Sequence, residues 1–408
     1  MFTAEIISIG DELTSGALVD TNSAYLSREL TEAGITVSRH STVGDDLAAM
    51  TELFRAAFLR SNLVLITGGL GPTEDDLTRQ AVCETAGVQL ERSEAAMEHI
   101  RRLFEIRKRP MPASNEIQAF FPAGAAVIEN PHGTAPGFEL EVDRASLGGA
   151  GRAKTLVFPG VPAELREMWT LSGRALALEW ENELLGRRRF IETRVFRTFG
   201  AGESDVESRL PHLIARDHSP RVGITAAAGV ISLRVFAEGA DRQECLRQLQ
   251  ETGEVIRSRL GSLVYGEGDD TLASVVCARL EAGGKRVATL EWGTRGALAA
   301  SVPLSVFAGG LVDSGTGSIK ALLNLSPDAS LEETLRRWQA VSGAEAVLAV
   351  GAFPETGELS LSESFPVPVA ALLDGVYQQR SFAYGLHPSI VKQVFVGRAF
   401  DLLRKALG

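Results

Sequence analysis

Along the first part of the chain the hydrophobic positions alternate between two periods. Ile6-Ile7-Ser8-Ile9 is a short apolar run stopped by Gly10, and over residues 23–33 the apolar positions Tyr25, Leu26 and Leu30 recur at helical spacing. A strand at residues 35–38, a helix at 47–59 and a third strand at 63–66 follow. A glycine-rich turn from 67 to 73 then leads into a helix over 77–86. Strand and helix alternating at this pitch predict an α/β domain, a doubly wound parallel sheet with helices on both faces. Ligands of such sheets sit at the carboxyl ends of the strands. Gly10-Asp11-Glu12, Gly44-Asp45-Asp46 and the Gly68 turn all fall there.

The strand at 155–158, the turn Pro159-Gly160-Val161-Pro162 and a helix over 163–169 close this domain, so its limits are set at 1–172. Residues 173–266 read as a small α+β module, with strands at 194–198 and 230–235 and helices at 203–210 and 242–260. Residues 267–408 read as a second α/β domain: helices at 272–280, 297–302, 334–341 and 390–407, strands at 286–290, 346–350 and 367–373. Three domains suit a chain of 408 residues at a typical ~150 per domain.

Composition narrows the function classes. Hydrophobic residues at 45% and charged residues at 23% are globular values. No apolar run approaches the ~18 residues of a membrane helix, and the amino terminus has no signal-peptide pattern, so no membrane partner is expected. Cys83, Cys245 and Cys277 form neither a metal spacing nor a disulfide framework, which points to the reducing cytoplasm. Net charge is −11, and residues 271–408 carry 12 basic and 12 acidic residues, so the whole excess lies in the first 270. That argues against direct nucleic-acid binding, which needs clustered Lys and Arg, and is compatible with divalent cation sites.

The strongest local signal is Thr67-Gly68-Gly69-Leu70-Gly71-Pro72-Thr73-Glu74-Asp75-Asp76 between an apolar strand and a helix. Its glycines allow backbone amides to form an anion-binding nest, and a helix starting near Thr73 adds the positive end of its dipole. Asp75 and Asp76 would repel a bare phosphate unless a divalent cation bridges them to it. The plainer alternative makes Thr73 an N-cap and the acids a first turn, which leaves the glycines unexplained. Asp11 and Glu12 face the nest from the end of the first strand and stand too far from the next helix to be its caps; Asp20 or Asn22 can cap that helix. Asn130-Pro131-His132-Gly133-Thr134-Ala135-Pro136-Gly137-Phe138 and Pro159-Gly160-Val161-Pro162-Ala163-Glu164-Leu165 are turn-rich segments with little meaning alone.

In this order, the four segments resemble the amino-terminal domain of the CinA family of competence/damage-inducible proteins, itself similar to molybdopterin-binding domains. The resemblance runs on through Gly200-Ala201-Gly202-Glu203-Ser204 and Val264-Tyr265-Gly266-Glu267. It implies metal-dependent hydrolysis of the pyrophosphate of ADP-ribose, or of a related nucleotide, in the first domain. Gly68, Gly69 and Gly71 would hold phosphate, with Gly10, Asn22, Thr67, Thr73, Gly133, Thr134, Pro159 and Gly160 completing the substrate site. Asp11, Glu12, Asp75 and Asp76 would be the catalytic acids, and Asp11, Asp75 and Asp76 the holders of the divalent cation. The family also implies a homodimer. The alternative is a module that binds a pterin or nucleotide without turning it over.

For the last domain the resemblance implies an amidase-like fold that deamidates nicotinamide mononucleotide, but the motif has decayed. Where the family carries Ala-Glu-Ser-Cys-Thr-Gly-Gly with a serine nucleophile, this chain has Leu290-Glu291-Trp292-Gly293-Thr294-Arg295-Gly296, and an indole cannot attack an amide. The family's Tyr-Ser-Asn motif falls on residues 314–319 without match, and its glycine-rich loop is reduced to Val350-Gly351-Ala352-Phe353-Pro354. The expectation is a retained fold without the amidase activity.

Overall fold

The structure, a computed structural model, describes residues 2–186, 190–214, 218–313, 318–354, 365–385 and 387–408. Two compact units divide it: Met1–Glu192 with Glu238–Arg242, and Thr193–Ala237 with Gln243–Gly408.

In the first unit the chain runs β1 (Thr3–Ile9), α1 (Asp11–Thr14), α2 (Thr21–Glu32), β2 (Thr36–Val43), α3 (Leu47–Arg60), β3 (Leu63–Thr67), α4 (Thr78–Ala86), β4 (Leu90–Arg92) and α5 (Glu94–Ile106). It continues through β5 (Phe120–Pro122), β6 (Ala126–Ile128), β7 (Gly137–Asp143), β8 (Arg152–Phe158), α6 (Pro162–Met168) and α7 (Arg174–Leu185). The main sheet has the order β2-β1-β3-β8-β7-β6. Its first four strands are parallel, and β7 and β6 close it antiparallel. Central β3 is buried at all five positions, which is why it reads as an unbroken apolar run. One face packs on Phe54, Phe58 and Met97, the other on Leu26, Leu30, Trp169 and Trp180. Thr67 lies in register with Ser8 on β1 and Phe158 on β8, so three strands deliver their following loops to one edge.

Helix α7, assigned from sequence to the middle module, belongs to this unit: Ala177 and Trp180 are buried in its core, and the Trp180 indole donates to Asn62 O at 2.9 Å. Trp180 is an apolar anchor that the 172/173 limit had cut from its core.

The second unit opens with β9 (Phe190–Phe199, whose first residues belong to the first unit), α8 (Glu203–Arg209), β10 (Arg221–Ala227), β11 (Val230–Gly239), α9 (Arg242–Leu260) and β12 (Val264–Glu267). The sheet order is β10-β11-β9-β12. Then come α10 (Leu272–Ala282), β13 (Val287–Glu291), α11 (Ala297–Ala300), β14 (Phe307–Val312), α12 (Ile319–Leu322) and α13 (Leu331–Ser342). β15 (Ala346–Val350), β16 (Phe365–Leu373), β17 (Val376–Tyr384) and α14 (Pro388–Ala406) complete it, with sheet order β14-β13-β15-β16-β17. Leu298, Val302 and Val306 point into the core, whereas Leu304 is exposed. Among the described residues no helix is long and apolar enough to cross a membrane.

Candidate functional site

A cleft of about 530 Å³ opens where the loops after β1, β2, β3 and β8 meet. The chain leaves β3 through Gly68 at φ 109° and Gly69 at φ 63°, a region open to glycine. A Cβ on Gly68 would stand 2.4 Å from the Ile9 carbonyl oxygen, a backbone atom that cannot yield. The Gly68 amide donates to Phe158 O at 3.1 Å, and the Thr78 hydroxyl donates to Gly68 O at 2.8 Å. Thr67 and Asn22 are buried beneath this loop. The Thr67 hydroxyl donates to Pro159 O at 3.1 Å, and Asn22 Nδ2 donates to Thr67 Oγ1 at 3.1 Å and to Gly160 O at 2.8 Å. Both were expected at the substrate; their hydrogen bonds instead hold the loop after β8 against the end of β3. Asp20 caps α2, accepting from the Ser23 amide at 2.9 Å.

The helix expected from Thr73 begins only at Thr78, because a side chain competes for the amides. The Asp76 carboxylate accepts from the Gly71 amide at 2.7 Å, from the Thr73 amide at 2.8 Å and from the Thr73 hydroxyl. Residues 73–77 therefore form turns, with Asp76 N–H donating to Thr73 O at 3.1 Å, and Thr73 is no N-cap. Gly71 is required here, since its Cβ would stand 2.3 Å from Asp76 Oδ2. Asp76, expected among the catalytic and cation-holding acids, is thus engaged by its own loop, filling two amides of the nest.

Asp11 and Glu12 open the one-turn helix α1, with Gly10 as its N-cap. They are first-turn acids after all, of a helix too short to show a period. The Asp11 amide donates to Asp45 Oδ2 at 2.9 Å, and the Asp45 amide donates to Asp11 Oδ1 at 3.1 Å. The Glu12 carboxylate folds back over Gly10, where a Cβ would sit 2.6 Å from its Oε1. Burial raises the Asp45 carboxyl above its ordinary value, and the charges of Asp11, Glu12 and Asp75 raise it further against the hydrogen bond from the Asp11 backbone. Asp75 is held below the usual carboxylate range by hydrogen bonding from the Thr73 side chain and from its own backbone.

Of the expected site residues, Gly10, Glu12, Gly68, Gly69, Gly71, Thr73, Asp75, Asp76, Thr134, Pro159 and Gly160 line the cleft. Asp11 acts behind it through Asp45, and Gly133 lies inside its loop, its amide donating to Asn130 Oδ1 at 2.8 Å. Asp45 and Glu164 also line the cleft; Asp45 was placed at the ligand end of the sheet from sequence, but neither was counted among the site residues. Buried Asn130 joins the two loops, its Nδ2 donating to Ala135 O at 3.0 Å and to Glu164 Oε2 at 2.7 Å. A polar asparagine before proline in a turn was the available signal. Among the described residues no group of three or more His, Cys, Asp and Glu side chains is arranged to hold a metal ion unaided.

In the last domain Glu291 is fully buried, yet its carboxylate accepts from the Thr294 hydroxyl at 2.7 Å and from the amides of Gly296 (2.9 Å), Leu298 (3.0 Å) and Ala299 (2.8 Å). The Phe353 ring packs against Gly293, leaving 2.3 Å to an added Cβ. Arg295, in a glycine position of the family motif, has φ 52°, a conformation that costs a side chain ~1 kcal/mol. Residues 314–317, the first part of the second decayed motif, lie outside the described residues. Lys320, just after that segment, donates from Nζ to Pro327 O at 2.6 Å.

The sequence has counterparts among known proteins. Residues 5–177 match the family described as "Probable molybdopterin binding domain", and residues 193–266 match the "Damage-inducible protein CinA KH domain". A competence-damage inducible protein by name, from Levilactobacillus brevis, is 38% identical over 330 residues, 79% of this chain and 76% of its own. One of the same name from Clostridium botulinum is 31% identical over 99% of both chains. The solved CinA of Thermoplasma acidophilum, a protein of unknown function, is 32% identical, covering 43% of this chain and 97% of its own with a TM-score of 0.38. The chain belongs to the CinA family of competence-damage inducible proteins.

Proposed function

We propose that the first domain hydrolyses the pyrophosphate bond of ADP-ribose or a related nucleotide with the help of a divalent cation, and that the last domain has lost amide hydrolysis. The observation that carries the reading is the shared cleft: the glycine loop and the carboxylates of Glu12, Asp45 and Asp75 line one space. Loops at strand carboxyl ends are where an α/β sheet binds ligands, and the Gly69–Gly71 backbone suits phosphate oxygens.

The donor set fits a small hard cation. A magnesium-like ion takes oxygen ligands, keeps several waters and needs only one or two carboxylates once substrate phosphates share it, so a protein cage of three side chains is not required. Glu12 and Asp75, which line the cleft, would hold it, with Asp76 keeping the loop in shape. When bound, such a cation supplies charge neutralisation on the diphosphate and acidifies the attacking water. The chain's own residues orient the diphosphate against Gly68–Gly71 and Gly160. They also offer Asp45, raised above its ordinary value by burial, as an acceptor for the proton of the attacking water. The products are AMP and ribose 5-phosphate, and the test is AMP release from ADP-ribose with and without added cation.

For the last domain, the buried Glu291, the Phe353 ring over Gly293 and Trp292 in the serine position support loss of the amidase. Ammonia release from nicotinamide mononucleotide tests it, and turnover by the purified protein contradicts it. We further propose a cytoplasmic homodimer acting on a small nucleotide, with no direct nucleic-acid contact.

A further inference from the structure

Arg79 stands on the first turn of α4 and is 2% exposed. One nitrogen, Nη2, donates to Leu70 O at 2.6 Å, inside the glycine loop, and Gln118 Nε2 reaches the same carbonyl at 3.4 Å. Nε and Nη1 are buried and have no hydrogen-bond partner. Burial lowers the guanidinium to about 10, so it is charged at neutral pH, and the one carboxylate whose field reaches it is Asp76. That carboxylate is spent on the Gly71 and Thr73 amides and the Thr73 hydroxyl. A buried cation with two idle donors thus lies near an anion bonded only to neutral groups. Buried charges are ordinarily paired and hydrogen-bonded, and an exception asks for an explanation.

The amides that Asp76 occupies belong to the nest a phosphate would seek. Resting on the reading of the cleft as a diphosphate site, we infer that Arg79 is the positioning residue of that site: a phosphate takes the Gly71 and Thr73 amides, and the displaced Asp76 carboxylate turns to one of the idle guanidinium donors of Arg79, Nε or Nη1. Asp76 is then an internal stand-in for the phosphate in the ligand-free protein. Arg79 neutralises it afterwards, so that it no longer repels the incoming anion. Asp76 lies three positions before Arg79, in the turn that leads into α4, and its charge acts on the guanidinium. The exchange explains why the loop carries an acid among its phosphate-binding amides and why a charged residue is buried beneath it without a partner.

The test is calorimetric titration of inorganic pyrophosphate, with magnesium present, into the full chain and into Arg79→Met, Arg79→Gln and Arg79→Lys. The Met variant exchanges an unpaired buried charge for an apolar side chain, so its melting temperature stays level or rises, while its pyrophosphate affinity falls at least tenfold. The Gln variant loses as much affinity, and serves if the Met variant does not fold. The Lys variant keeps the charge and stays within threefold of the unaltered protein, a rescue that a packing role would not give. Pyrophosphate also shifts the Gly71 and Thr73 amide resonances in the unaltered protein. Equal affinity, within twofold, for the unaltered protein and the Met or Gln variant overturns the inference, as does unmoved Gly71 and Thr73 resonances at saturation. Pyrophosphate binding with normal Arg79 dependence but no cleavage of ADP-ribose overturns the proposed reaction alone.

Discussion

Asp11 and Asp45 are cross-bonded: each backbone amide donates to the other's carboxylate, at 2.9 and 3.1 Å, tying the loop after β1 to the loop after β2. Two carboxylates held this way crowd negative charge at the cleft mouth, where Glu12 and Asp75 add to it. A ligand-free protein keeps such an arrangement at a cost in stability, which the proposed cation would relieve.

Asp45→Asn tests that cost through pH. A carboxyl raised in the folded state contributes stability below its unfolded value, and the contribution is lost as pH rises through the folded value. In chelator at pH 7 the Asn variant therefore melts above the unaltered protein. The gain shrinks as pH falls towards the ordinary aspartate range of about 4. The same variant, lacking the proton acceptor, releases AMP at least ~100-fold more slowly.

Asp76→Ala separates loop order from chemistry. Removing an ionised acceptor from two amides and a hydroxyl loses charge-assisted hydrogen bonds. The Gly71 and Thr73 amides exchange hydrogen faster, and AMP release falls at least ~100-fold, while the sheet, whose core lies elsewhere, keeps its cooperative melt. Near-normal turnover by this variant rules out the role given to the loop.

Trp292→Ser restores a hydroxyl where the family has its nucleophile, yet we expect no ammonia from nicotinamide mononucleotide. Phe353 still covers Gly293, and Glu291 stays bonded to four donors. A colorimetric ammonia assay checks it, and activity above the unaltered protein would show that the serine alone was missing.

Sequence reading succeeded where a physical constraint leaves a periodic or compositional mark. The buried β3 and the glycines forced by Ile9 O and Asp76 both do so. It failed where a local hydrogen bond outvoted a propensity. Thr73-Glu74-Asp75-Asp76 looks like a helix start, but Asp76 reaches back to Gly71 and delays the helix to Thr78. Asp45 was seen at a strand end but not counted in the site, because its tie to Asp11 spans 34 positions. Arg79 escaped notice because an arginine on an amphipathic helix ordinarily faces water, and only the fold reveals it as buried. The decay of the last domain's motif was legible at Trp292, whereas the Phe353 ring against Gly293 required the fold.

The central claim is that the acids and the glycine loop act together on a bound diphosphate, and AMP release from ADP-ribose across several divalent cations tests it most directly. The account predicts AMP in the presence of at least one such cation, none in chelator, and loss of the signal in Asp45→Asn. A folded protein that binds pyrophosphate yet yields no AMP with any cation would contradict it.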